Sequence, residues 1–564
     1  MKLGFGKRIG LFLRMLWKKI SLIEKIIIIF LLLILAATLL GAFSFLFNND
    51  ENSIPAKGGV LVEGVLGQPK LINPLYARSD TDKVLSSLVF SGLVGYNKQR
   101  EITPCLAERW EVSADKKDYK FFLKKNIQWQ DGMPFNAEDV IYTIAVLQNP
   151  DYNESLKSAW DGVVIEKVDD FTVIFHLPKA YPPFLENLTI GILPRHLWVD
   201  IAVKDFSLST LNLNAVGTGP YKIDKLNKDK DGKTVSLKMA ASEAYSQGAP
   251  YIENLEVKFY DQKEDLLKAF DTRDFSSFGM YASEGQEVSQ ETSGFNNYNV
   301  NLPQYVGLFF NTKRAIVLQD KAVREALAYA TDKNEINQAA NYGAGIVINS
   351  PILPGYLGYD SEVQKYDLDL KTANSMLSQA GWSDQNNDGV KEKEDKKLIF
   401  QLIAPNDVQF DRVINRLQEE WGKIGVRLDV KRADSAQLEN DYISPRNYDI
   451  LLLGENIGTD PDPYSYWHSS QANSPGLNLA LFQNGEADQL LEEARQSSDT
   501  NIRIKDYKRF QEIIAEEIPA IFLYQPVYVY KIYDSVKGID LSGITNTWDR
   551  FYDVSDWYVK TRSK

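Results

Sequence analysis

The sequence predicts a mixed α and β protein of two or three lobes standing outside a membrane, and three observations carry that prediction. Behind a charge-free apolar run at residues 26–47 lie about 510 residues, more than one hydrophobic core ordinarily organises. Strand-like alternation and helical spacing of apolar residues are interleaved, without the regular rhythm of a purely parallel αβ fold. Cys105 is the only cysteine, so no internal disulfide is available and the core alone must hold the fold.

At the N-terminus, residues 26–47 are long enough to cross a hydrocarbon layer of roughly 30 Å. Lys2, Lys7, Arg8, Arg14, Lys18, Lys19 and Lys25 precede the run against the single acid Glu24, which orients residues 1–25 toward the cytoplasm and the bulk of the chain outward. The run exceeds the roughly 7–15 apolar residues of a cleaved signal core, so it reads as an uncleaved anchor. A lipid-modified cysteine is excluded at that place, because Ala42 follows Leu39, Leu40 and Gly41. Residues 48–57 are polar and form a linker. Removing the first 25 residues and the span leaves 56 basic against 75 acidic residues, a net −19 that disfavours nucleic-acid partners.

Further along, residues 119–123 and 171–177 are β-rich, and Asp131-Gly132 and Asp231-Gly232 signal hairpin turns. Apolar residues at three- and four-residue spacing predict helices over 321–330, 370–380, 408–424 and 502–517, the first capped at Asp320. Helix 408–424 stops at Gly425 and is followed by an alternating strand at 426–430 and a buried strand at 448–453. In doubly wound lobes, ligands sit beyond the carboxyl ends of such strands. That end is residues 454–467, rich in acids, aromatics and prolines.

Little catalytic chemistry is visible. His176, His196 and His468 do not cluster, there is no nucleophile elbow, and Gly232, Lys233 and Thr234 lie in a hairpin rather than a phosphate loop. Asp384, Asn386 and Asp388 followed by Gly389 place oxygen ligands at positions one, three and five of a calcium-type loop. They are candidate structural calcium ligands. The competing reading is an Asx-rich turn, since position twelve is Asp395 rather than a glutamate.

Several segments taken together resemble one family. Residues 102–113, then 121–130 and 131–140, followed in order by 193–197, 217–221, 321–327 with Asp332, and 380–382, are similar to the family 5 extracytoplasmic solute-binding proteins, the dipeptide and oligopeptide receptors of ABC importers. The resemblance runs from about residue 58 to 530. Most of these motifs read physically as scaffold: a turn at Asp131-Gly132, a helix cap at Asn136, a chain break at 217–220.

The resemblance implies a two-lobed clamp closing on ligand about two crossover strands near 301–311 and 520–530, with an inserted domain. The implied division is 58–96, 196–300 and 525–564 for the first lobe, 97–195 for the insertion and 301–524 for the second lobe. The function implied is a membrane-anchored, extracytoplasmic and monomeric receptor. It passes short peptides, or a similar amine-bearing solute, to permease subunits without catalysis or a cofactor. A sensory or adhesion receptor and a surface hydrolase of peptides or glycans are the alternatives. Relatives anchor a peptide's α-amino group with an aspartate after the buried strand. Here the matching position falls on Ile457, so the carboxylate must come from Glu455, Asp460 or Asp462. Asn456, Tyr464, Trp467 and, on the crossover strand, Tyr305 complete the expected ligand set.

Overall fold

The computed structural model describes residues 53–563 apart from 98–100, 153–154, 182–183, 459–461 and 498, with scattered positions between 21 and 38. The expected span at 26–47 lies almost wholly outside the described residues, as does Asp460. Among the described residues no helix is long and apolar enough to cross a membrane.

Two mixed sheets organise the chain. A seven-stranded sheet runs in the order Phe295–Asn301, Val527–Tyr533, Ser277–Tyr281, Val60–Leu66, Asn254–Tyr260, Thr234–Ala241, Tyr221–Lys228. A six-stranded sheet runs Ile346–Val347, Ala520–Gln525, Gln304–Phe310, Ile450–Asn456, Ile399–Pro405, Arg427–Ala433. The chain passes between the sheets twice, from Asn301 to Gln304 and from Gln525 to Val527. These passages lie side by side, tied by Gln525 Nε2 donating to the Leu302 carbonyl at 2.8 Å. A separate antiparallel sheet is formed by Ala107–Val112, Asp118–Leu123, Thr172–His176 and Val164–Asp169.

The elements follow the sequence pattern closely where the pattern is local. Helix Val408–Gly422 buries Phe410, Val413, Ile414, Leu417 and Trp421, one stripe of a 3.6-residue period, against the six-stranded sheet. Each such side chain contributes roughly 1.5–3 kcal/mol when fully buried. Helix Lys321–Tyr329 begins at Asp320, whose carboxylate accepts from the Ala322 amide at 3.0 Å. Asn136 caps helix Ala137–Gln148 in a reciprocal box with Asp139.

The family-like motif at 217–221 also acquires a physical reason. Gly217 and Gly219 press on the end of helix Asp80–Val89, so closely that a Cβ on Gly217 would stand 1.9 Å from the Val89 carbonyl oxygen. Gln130 fastens the same place, donating to the Val89, Gly219 and Tyr221 carbonyls and accepting from the Gly217 amide.

One boundary differs from expectation. The strand predicted to end at Leu453 continues to Asn456, because Gln304–Phe310 pairs with it throughout, with Tyr305 opposite Glu455. The alternation of a strand then turns Glu455 to the same face as the buried Leu451.

Candidate functional site

A cavity of about 820 Å³ opens among the helices and turns that flank the sheets. Helix Asp80–Val89 and the preceding turn supply Tyr76, Arg78 and Lys83, and the four-stranded segment and its flanks supply Tyr96, Cys105, Trp160 and Glu186. Asn546, Trp548, Asp549 and Tyr552 come from the turn around Thr547–Phe551, and Asn456 and Gly458 from the exit of strand Ile450–Asn456. The volume falls within the roughly 300–1,000 Å³ typical of small-molecule clefts. Asn456 Nδ2 reaches Asn546 Oδ1 at 3.4 Å, so the end of the six-stranded sheet meets the C-terminal turn at the cavity's edge.

The C-terminal wall is held from behind. Glu63, on the central strand Val60–Leu66, pairs with Arg550 at 2.9 Å, and both side chains are buried. The Tyr530 hydroxyl donates to Glu63 at 3.0 Å and Ser277 donates to the same oxygen. Satisfying a buried carboxylate with several donors is what makes such a pair tolerable. Asp549 Oδ2 accepts from the amides and side chains of Thr545 and Asn546, which fixes the turn, while burial pushes its carboxyl above the ordinary range. Cys105 also faces this cavity. Burial raises its thiol, and Sγ lies 3.9 Å from Ser246 Oγ.

Of the expected ligand residues described, Asn456 alone lines the cavity. Glu455 is 5% exposed and takes a hydrogen bond from the Tyr305 hydroxyl, itself fully buried. Loss of water pushes the Glu455 carboxyl up to about 8, against which the tyrosine hydrogen bond pulls. Trp467 is 2% exposed and packs on Phe309, Phe482 and Phe522 in the interior. Asp462 pairs with Arg495 at 2.9 Å, whose guanidinium covers the Tyr464 ring, which in turn stacks on His468 at 4.1 Å. Tyr464 and Asp462 thus serve a stack within the six-stranded half.

The calcium-type loop is braced by its own backbone. Asp384, Asn386 and Asp388 accept from amides of the loop itself, at Gly389, Asp388 and Val390 respectively, as Asx turns do. The Lys397 ammonium supplies the positive charge, 2.6 Å from Asp388 and 3.4 Å from Glu392. Among the described residues no three His, Cys, Asp or Glu side chains converge as a metal site.

Sequence reasoning missed Lys83, Trp548 and the wall at 545–552. The tail after residue 530 carries no recognisable motif, and its place on the cavity depends on contacts far apart in the chain.

Two mixed sheets joined by two crossover passages, with a half-open cavity that residues of both halves reach, are the architecture of a solute receptor. The model of bacterial extracellular solute-binding proteins, family 5 Middle, matches residues 101–476, and the chain belongs to that family. It is similar to the oligopeptide-binding protein AppA of Bacillus subtilis, 29% identical over 88% of this chain and 92% of the relative. It is also similar to the dipeptide-binding protein of Escherichia coli, 26% identical over 84% and 90%. The solved structure of Bacillus subtilis AppA with a nonapeptide superposes with a TM-score of 0.72, at 26% identity over 90% of this chain and all of that one. NikZ from Campylobacter jejuni in complex with Ni(L-His) gives 0.69, at 28% identity over 88% and 99%.

Proposed function

We propose that this chain is the receptor of an ABC importer, capturing short peptides or a similar amine-bearing solute outside the cell and handing it to permease subunits. The supporting observation is the cavity of about 820 Å³ lined by helix Asp80–Val89, the turn at 545–552 and the segments near 96–105 and 156–191, with Asn456 and Gly458 reaching it from the other half, together with relatives whose names specify oligopeptides and dipeptides. Capture without chemical change, as a monomer, belongs to the same reading. The apolar run 26–47 holds the receptor at the membrane in place of a lipid anchor. The ligand amine is anchored by one of Glu455, Asp460 and Asp462, for which Glu455 or Asp462 must first leave its present partner, Tyr305 or Arg495, and replacing the anchor by its amide costs about 2–5 kcal/mol of affinity.

The likeness to a nickel–histidine receptor favours a second reading, a metal–amino-acid complex as cargo. Native mass spectrometry of the full-length protein in detergent separates the two. A co-purified peptide, or saturable binding from a di- to pentapeptide mixture, upholds the first reading; capture of Ni(L-His) with no peptide bound sinks it.

A further inference from the structure

Lys83 is placed on the cavity wall by helix Asp80–Val89, with its ammonium 4.1 Å from the centroid of the Trp548 ring. The indole face attracts the cation without neutralising it, and leaves its N–H donors directed elsewhere. Among the described residues no carboxylate or other acceptor stands within bonding distance of that ammonium. The nearby acids are engaged: Asp80 accepts from the Thr547 hydroxyl at 3.0 Å, and Asp549 holds the turn at Thr545 and Asn546. The other ionised side chains on this wall, Arg78 and Glu186, have partners of their own.

A lysine so placed, in a chain whose exterior part carries a large acidic excess, lacks its counter-charge only within the cavity. We propose that Lys83, braced by Trp548, is the carboxylate-binding group of the receptor, pairing with the terminal carboxylate of a captured peptide. This deepens the peptide reading and rests on it. Charge-assisted hydrogen bonds of this kind are the strong ones in a water-poor site, and they set the polarity in which a peptide lies across the cleft.

The test compares trialanine with trialanine amide by calorimetry, in the full-length protein and in Lys83→Met and Lys83→Arg. The wild type should bind the acid roughly 10- to 100-fold more tightly than the amide. Lys83→Met should remove that preference by weakening the acid alone, and Lys83→Arg should keep most of it. Equal weakening of both peptides, or no change in either, overturns the assignment. Should the wild type bind neither peptide nor any member of the di- to pentapeptide mixture, the peptide reading itself fails, and thermal melts in acetate against chloride at equal ionic strength then decide the role of Lys83. Stabilisation by acetate that Lys83→Met loses upholds a carboxylate site; equal responses of the two proteins remove it.

Discussion

Glu455 shows how much one side chain can hold in reserve. Its carboxyl, titrating at about 8 in the fold, meets an unfolded value near 4.3. The folded chain therefore keeps a proton that the unfolded chain has released throughout this interval. Stability contributed by the group is intact below pH 4 and declines as pH rises to 8, by an amount on the order of a few kcal/mol. Glu455→Gln should flatten that decline, leaving melting temperatures close to wild type near pH 5 and above it near pH 8. Parallel curves for the two proteins would refute the buried, protonated state. The acid was visible in the sequence as a candidate, whereas its burial was not. Only the pairing of Tyr305 with Glu455 across the ladder turns it inward, and no local pattern encodes the reach of a partner strand.

Elements were legible in proportion to how local their causes are. Helices at 321, 370, 408 and 500 begin within two residues of their expected starts, because caps and 3.6-residue stripes lie within each segment. The glycine motif was legible as a break but not as a joint. Its reason is the end of helix Asp80–Val89, distant in sequence and in contact through Gln130. Gly217→Ala should destabilise the fold by about 1–3 kcal/mol or more, since the carbonyl it meets is backbone and cannot step aside. Gly422→Ala, in an open helical position, serves as control and should raise stability by up to about 1 kcal/mol. A Gly217→Ala protein melting at the wild-type temperature would contradict the joint. The cavity wall at 545–552 was not legible at all, because Lys83 and Trp548 meet only once the tail has docked.

Across the whole molecule, the two halves built on the large sheets touch at more than their shared passages. Asn456 meets Asn546 at the cavity. Elsewhere the Arg412 guanidinium, on helix Val408–Gly422, donates to the Ser283 carbonyl of the seven-stranded half. It also donates to Ala340 O at 3.0 Å and Tyr342 Oη at 2.9 Å on its own half. Adjacent strands crossing between two bodies are the natural place for a hinge, and Arg412 bridges it. Arg412→Leu should favour an opened form, read as a larger radius of gyration in small-angle X-ray scattering and weaker solute binding. An unchanged radius would show that the bridge does not hold the halves together. Cys105 adds a reporter of its own. The chain's single thiol lines the cavity and is 6% exposed there, beside Ser246 of its own half, so a maleimide should reach it slowly, and more slowly still once a solute fills the cavity. Occupancy is then written into a labelling rate, without any probe having to be engineered in.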